Sequence, residues 1–132
     1  MKISVNKPCP CGSKKKYKLC CQKYHKGAQP QDALALMKSR YSAYVVGDAK
    51  YIMKTTHPDN PDYHDNKETW QEEIEAFSKQ TTFKDLEIKA YEEGIEVAYV
   101  TFVATFGEGK LSERSKFMKI EGFWLYFKGE IN

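Results

Sequence analysis

Every cysteine of the chain falls between positions 9 and 21, in the run Cys9-Pro10-Cys11-Gly12-Ser13-Lys14-Lys15-Lys16-Tyr17-Lys18-Leu19-Cys20-Cys21. Thiols so crowded have three chemistries open to them. Disulfides do not persist in a reducing cytosol, and a bond within Cys9/Cys11 or within Cys20/Cys21 would close a small, strained ring. Cross-pairing of the two clusters stays open in an oxidised sample. A metal satisfies the pattern better, because Zn²⁺ takes four tetrahedral ligands and thiolates are among its best. Each cysteine pair supplies one edge of the tetrahedron, Pro10 stiffens the first pair, and Gly12 lets the chain turn sharply after it. The spacing is tighter than the usual two to four residues between paired ligands. Four free thiols, an iron–sulfur cluster, and replacement of one thiolate by His25 are the alternatives. With four thiolates no coordination position is left for substrate, so the zinc expected at Cys9, Cys11, Cys20 and Cys21 is structural. So short a segment cannot bury a core of its own. Metal binding must hold it together, and structural zinc in finger peptides contributes about 10–16 kcal/mol.

Cys9-Pro10-Cys11-Gly12-Ser13, then Tyr17, then Cys20-Cys21, resembles the SEC-C motif, the small zinc finger at the C-terminus of the SecA translocation ATPase. In that family the last ligand pair is Cys-His or Cys-Cys. The resemblance implies a chaperone, ribosome or acidic-protein partner.

Charge separates along the chain. Residues 1–30 carry eight lysines and no acid, although the whole chain is only +3. A basic head on an acidic body predicts an anionic partner, protein or RNA, met by Lys14, Lys15, Lys16 and Lys18; such a run also serves as a plain solvated face. At 132 residues, 41% hydrophobic and 30% charged, the chain has one domain's worth of folded material and is not wholly disordered. No apolar run is long enough for a membrane span, and the start has no apolar signal core, so a cytoplasmic location is expected.

Behind the head, Lys26-Gly27-Ala28-Gln29-Pro30 reads as a linker. The expected division is a finger over 1–26, a linker over 27–31 and a second domain over 32–132. From Asp32, Leu34, Met37, Tyr41, Tyr44 and Val45 recur at helical spacing until Gly47. A short helix follows over Ala49 to Thr56. Asp65 with Glu68 suggests a capping box opening a third helix, with Trp70, Ile74 and Phe77 on one face. The period then changes to two. Phe83 to Tyr91, Ile95 to Phe106, Leu111 to Ile120 and Phe123 to Phe127 read as an antiparallel meander broken at glycines. In the second strand both faces are mostly apolar, which predicts a central strand covered by helices on at least one side. Helices followed by strands make an α+β domain.

Three helices on a curved four-stranded sheet are similar to the nuclear-transport-factor-two-like cone. Leu36-Met37-Lys38-Ser39-Arg40-Tyr41-Ser42-Ala43-Tyr44, Tyr51-Ile52 with Thr55-Thr56-His57-Pro58, Glu113-Arg114-Ser115-Lys116-Phe117, and Gly122 to Gly129 around Trp124 and Tyr126 resemble the YchJ family of bacterial proteins. That family joins an N-terminal SEC-C finger to such a cone.

A cone of this type often holds a pocket. Arg40, Tyr44, His57, Trp70, Arg114 and Trp124 are the candidates to line it, with core packing the competing role for the aromatic ones. Arg40 and Arg114, the two arginines, are expected to pair with Glu113 or Glu121 or to hold an anion. His57 beside Asp59 offers a base or a helix cap, and Asp59, Asp62, His64 and Asp65 a cation loop or ordinary turns. No nucleophile, base and orienting group can be assembled from sequence. The first functional expectation is a zinc-binding adaptor that docks an acidic protein or RNA through its finger. The second is a small-molecule-binding protein or enzyme using the cone pocket. Pairing into a homodimer is compatible with either.

Overall fold

The computed structural model of the chain describes residues 3–132. A 3-10 turn at Tyr17–Leu19 leads into α1 (Gln22–His25), α2 (Ala33–Val46), α3 (Ala49–Lys54) and α4 (Lys67–Gln80). Four strands follow: β1 (Phe83–Glu93), β2 (Val97–Phe106), β3 (Gly109–Ile120) and β4 (Phe123–Ile131). This is the α+β architecture expected from the order of the two periodicities.

Side chains of the right type set the helix ends. Asp32 caps α2 by accepting from the Ala35 N–H at 2.7 Å. Gly47, at φ 80°, closes α2 in a left-handed turn, and the Asp48 N–H returns to the Ala43 carbonyl at 2.8 Å. Asp48 then caps α3 by accepting from the Tyr51 N–H at 3.1 Å. The helix cap falls one residue after Asp65, and Thr69 rather than Glu68 then stands where a capping box needs its acid. Asn66 is the cap of α4, accepting from the Thr69 N–H at 3.1 Å, and Glu68 lies in the first turn, where it favours the helix dipole.

The sheet is an antiparallel meander in the order β1-β2-β3-β4. Glu121 and Gly122 both have positive φ between the paired residues Ile120 and Phe123, the geometry of a tight two-residue hairpin. Irregularities of register in β1 and between Lys116 and Phe117 bend the strands, and such bulges curve a sheet. Along β2, Ala98, Val100, Phe102 and Ala104 are buried while their neighbours are only half-covered, so one face is packed more tightly than the other. Ile95 falls outside the strand expected to hold it and is 88% exposed in the preceding turn. Leu36, Ile52, Val100 and Phe117 form the centre of the core. Thr56 bridges to Tyr126 in parallel, tying the end of α3 to β4.

The N-terminal segment packs on α2 from outside the cone. Ser39 and Ser42, polar residues in the middle of that helix, are wholly buried beneath it. The Ser39 hydroxyl meets the Tyr51 hydroxyl at 2.6 Å, and the Ser42 hydroxyl lies 3.5 Å from the Cys9 sulfur.

Candidate functional site

The finger is a short folded loop whose two ends are tied by backbone hydrogen bonds. The Cys9 N–H donates to the Lys15 carbonyl and the Tyr17 N–H to the Lys7 carbonyl, both at 2.8 Å. Gly12 reverses the chain between them at φ 86°, its N–H donating to the Cys9 carbonyl at 3.2 Å. The 3-10 turn then carries Cys20 and Cys21 back against the first pair. All four Sγ atoms lie within 4.8 Å of one another, with Cys11 and Cys20 3.6 Å apart. A tetrahedral ion with sulfur ligands at about 2.3 Å needs neighbouring sulfurs about 3.8 Å apart, so this donor set fits one. Cys9, Cys11 and Cys21 are buried, and Cys20 is half-covered with the Ser13 hydroxyl 3.1 Å from its sulfur.

The protonation of the cluster points the same way. Hydrogen bonds from the Cys11 and Cys21 thiols, with help from Ser42 and the Cys11 N–H, hold Cys9 well below the usual thiol range. The thiols of Cys11 and Cys9, with burial, push Cys21 far above it. For Cys11 the Cys21 contact favours the thiolate, but Cys9 and burial outweigh it and push the group up to about 11. Hydrogen bonding among the crowded thiols thus favours ionisation at Cys9 and disfavours it at Cys11 and Cys21. A divalent ion bound by Cys9, Cys11, Cys20 and Cys21 would let all four ionise. His25 is not among these ligands. Its Nδ1 lies 2.5 Å from the Tyr17 hydroxyl and its Nε2 2.8 Å from the Ser39 carbonyl, so it pins the finger to α2.

Inside the cone is a separate cavity of about 230 Å³, walled by Phe77, Phe83, Phe102, Phe106 and Leu111. Its polar lining comes chiefly from Arg40, Tyr44, Glu113, Ser115 and Tyr126, with exposed Asp62 at the rim. Glu113 Oε2 accepts from the Ser115 hydroxyl at 2.5 Å and from the Tyr126 hydroxyl at 3.2 Å.

The two parts match two family descriptions. Residues 32–129 match the model described as YchJ, middle NTF2-like domain. The chain belongs to the YchJ family. Residues 6–23 match the SEC-C motif, the stretch that holds the four cysteines. A UPF0225 protein of Streptomyces coelicolor is 36% identical over 93% of this chain and 94% of its own. The solution structure of a SEC-C motif containing protein from Rhodopseudomonas palustris is 33% identical with a TM-score of 0.78, covering 94% of this chain and 98% of that one. A crystal structure of a SEC-C motif containing protein from Psychrobacter arcticus has a TM-score of 0.81 at 29% identity, over 97% of this chain and 84% of that one.

Of the six candidate pocket residues in this YchJ-family chain, Arg40 and Tyr44 line the cone cavity. The other four do not. Arg114 neighbours Glu113 and Ser115 on β3 and therefore points to the opposite sheet face, where it pairs with Glu92 at 3.0 Å and stacks 3.7 Å above the Tyr99 ring. Arg40 has no carboxylate within 4 Å, so neither arginine makes the expected pair with Glu113 or Glu121. His57 is buried beside Phe127, with its N–H donated to the Tyr126 carbonyl and its Nδ1 accepting from the Asp59 N–H. Trp70 lines an outer groove near Tyr63 and Ile74, and Trp124 lines another beside Pro30 and Tyr51. Among the described residues, the cysteines alone gather as a metal-ligand cluster. Asp59, Asp62, His64 and Asp65 do not converge. Asn60 forms an ordinary turn there, its Oδ1 accepting from the Asp62 N–H, and His64 faces Glu73 at 3.4 Å. Among the polar cavity residues, Glu113, Ser115 and Tyr126 are ones that sequence reasoning passed over as lining. The signal for Glu113 and Ser115 was the alternation Glu113, Ser115, Phe117, which places them on the face of the buried Phe117.

Proposed function

We propose that the chain is an adaptor in which Cys9, Cys11, Cys20 and Cys21 hold a structural zinc ion and the finger so formed docks an acidic protein segment. One observation carries the reading. Lys7, Lys14, Lys15, Lys16, Lys18, Lys23 and Lys26 are all exposed, and none forms an ion pair among the described residues. An uncompensated basic surface on a short rigid loop attracts an anionic partner and raises its rate of encounter. Leu19, 65% exposed in the middle of that surface, adds an apolar contact. This mixture suits a peptide with both acids and apolar residues. Tyr17, the finger loop's aromatic residue, is buried against His25 and unavailable as a stacking platform for nucleic-acid bases.

The test uses full-length, zinc-loaded protein and two labelled probes of equal charge, an acidic peptide containing leucine and a single-stranded RNA. Replacing Lys14, Lys15 and Lys16 by alanine is expected to weaken peptide binding by about tenfold at low salt, with zinc content unchanged. Equal binding by the variant overturns the docking role. Tighter binding of RNA than of peptide transfers it to nucleic acid.

A further inference from the structure

Arg40 is the most unusual charge in the molecule. It is 7% exposed, lines the cone cavity and has no carboxylate within 4 Å among the described residues. A guanidinium stays charged in any protein environment, so its burial needs compensation. What it receives is lopsided. Nη1 alone donates to the Ile52 carbonyl at 3.1 Å, Thr55 Oγ1 at 2.7 Å and Thr56 Oγ1 at 3.1 Å. Nε and Nη2 have no acceptor among the described residues and, unlike the Trp124 indole nitrogen, are not sealed from solvent. The guanidinium carbon lies 4.6 Å from the centre of the Tyr126 ring. At the hydroxyl of the same ring stands Glu113, with two donors on Oε2 and none on Oε1. The carboxylate occupies a seat that the absence of a side chain at Gly129 leaves open, since a Cβ there would collide with it. The cavity therefore offers unspent donors over the face of Tyr126 and an unspent acceptor beside its hydroxyl. Between and around them the walls are aromatic, with Tyr41, Phe83 and Phe106 packed edge to face.

We propose that the cone cavity binds a single-ring aromatic molecule with a carboxylate or carbonyl at one end, held by Arg40, and a hydroxyl or amine at the other, held by Glu113. The volume suits one substituted ring, given that an apolar cavity of about 150 Å³ takes up benzene. Glu113 and the rim carboxylate Asp62 disfavour a ligand that is only an anion, which is why the donor end is required. The inference does not depend on the docking role of the finger.

The experiment titrates full-length, zinc-loaded protein with 4-hydroxybenzoate, benzoate and phenol, followed by calorimetry and by amide and methyl shifts in NMR spectra. The hydroxy acid is expected to saturate the cavity residues. Benzoate and phenol, each lacking one polar end, should bind at least about tenfold more weakly, because each leaves a charged partner without its hydrogen bond. Glu113→Gln should lower affinity for 4-hydroxybenzoate by a similar factor but raise that for benzoate, which no longer meets the repulsion of a carboxylate. Leu111→Trp, which fills the cavity from a half-exposed position, should abolish binding of all three. Absence of saturable 4-hydroxybenzoate binding at millimolar concentration overturns the proposal. So does equal affinity for the three probes, or indifference to Glu113→Gln.

Discussion

Cys21 is 2% exposed and touches both Cys9 and Cys11, whereas Cys20 sits at the rim beside Ser13. Both fall within the four-sulfur cluster, and a tetrahedral site built on it and deprived of either would keep three donors and an open edge. Cys20→Ser and Cys21→Ser are each expected to lower bound zinc below one ion per chain and to cost at least ~2 kcal/mol of stability. Metal analysis together with urea unfolding checks this, and full zinc content in either variant would remove that residue from the site. Buried tyrosines set the alkaline limit. Burial first, then nearby negative charge, pushes Tyr17 and Tyr41 up to about 12; burial does the same for Tyr51, against an opposing hydrogen bond from Ser39. A tyrosine that keeps its proton longer when folded contributes its full stability below its unfolded pKa of about 10 and loses it as pH climbs toward 12. Stability should thus hold up to about pH 10 and fall from there to 12, with these rings, and Tyr91 and Tyr126, which burial raises further still, ionising last in an ultraviolet titration. Ordinary ionisation of all nine tyrosines near pH 10 in the folded protein would contradict it. The cysteine cluster was legible from sequence because its members are nearly contiguous and no fold is needed to bring them together. Glu113 was not, because an acid in a strand declares its side of the sheet only once the register is known.

Among the elements, α2 has the heaviest duties. Its Leu36, Met37, Arg40 and Tyr41 face the cone, while Ser39, Ser42 and Val46 meet the finger. In the sequence the two serines look like a solvent face, and the helix reads as a simple amphipathic one. Docking of the finger is a tertiary event that periodicity cannot announce. Ser42→Leu is expected to destabilise the protein by about 1–3 kcal/mol, because the site is full and the added carbons must displace the Cys9 limb. Ser42→Ala, which removes one weak contact to sulfur, should cost no more than ~1 kcal/mol. A fluorescence-monitored denaturant series separates the two, and equal effects would mean that packing at this face is loose. Asp32→Ala should cost about 1 kcal/mol through loss of the α2 cap. Helix α4 shows the opposite limit of sequence reasoning. Asp65 and Asn66 are both good caps, and only the chain's approach to the helix selects Asn66. The strands were readable as a meander because glycine turns punctuate a clear period of two, while their ends shift by a few residues where pairing extends past the apolar run.

At the scale of the whole molecule, the finger and the cone are joined by more than the peptide linker. His25 is braced between the Tyr17 hydroxyl and the Ser39 carbonyl and meets the Tyr51 ring edge-on, so the finger ends in a contact with two helices of the cone. Removing the metal with a chelator under reducing conditions should abolish hydrogen-exchange protection over residues 3–26 and lower it along α2, while β2 and β3 stay protected. Retained protection of the finger in metal-free protein would show that sulfur–metal bonds are not what fold it. The sequence suggested a linker over 27–31 between the finger and the second domain, and nothing in its composition marks His25 as the brace. For anyone cutting the chain into pieces the implication is practical. A fragment beginning after the linker would present Ser39 and Ser42 of α2, and the Tyr51 ring of α3 that His25 covers, to water, and α2 also forms part of the inner lining of the cone. Assays on such a fragment would describe a relaxed relative of the natural cone, and its ligand affinities could not be transferred back to the intact chain.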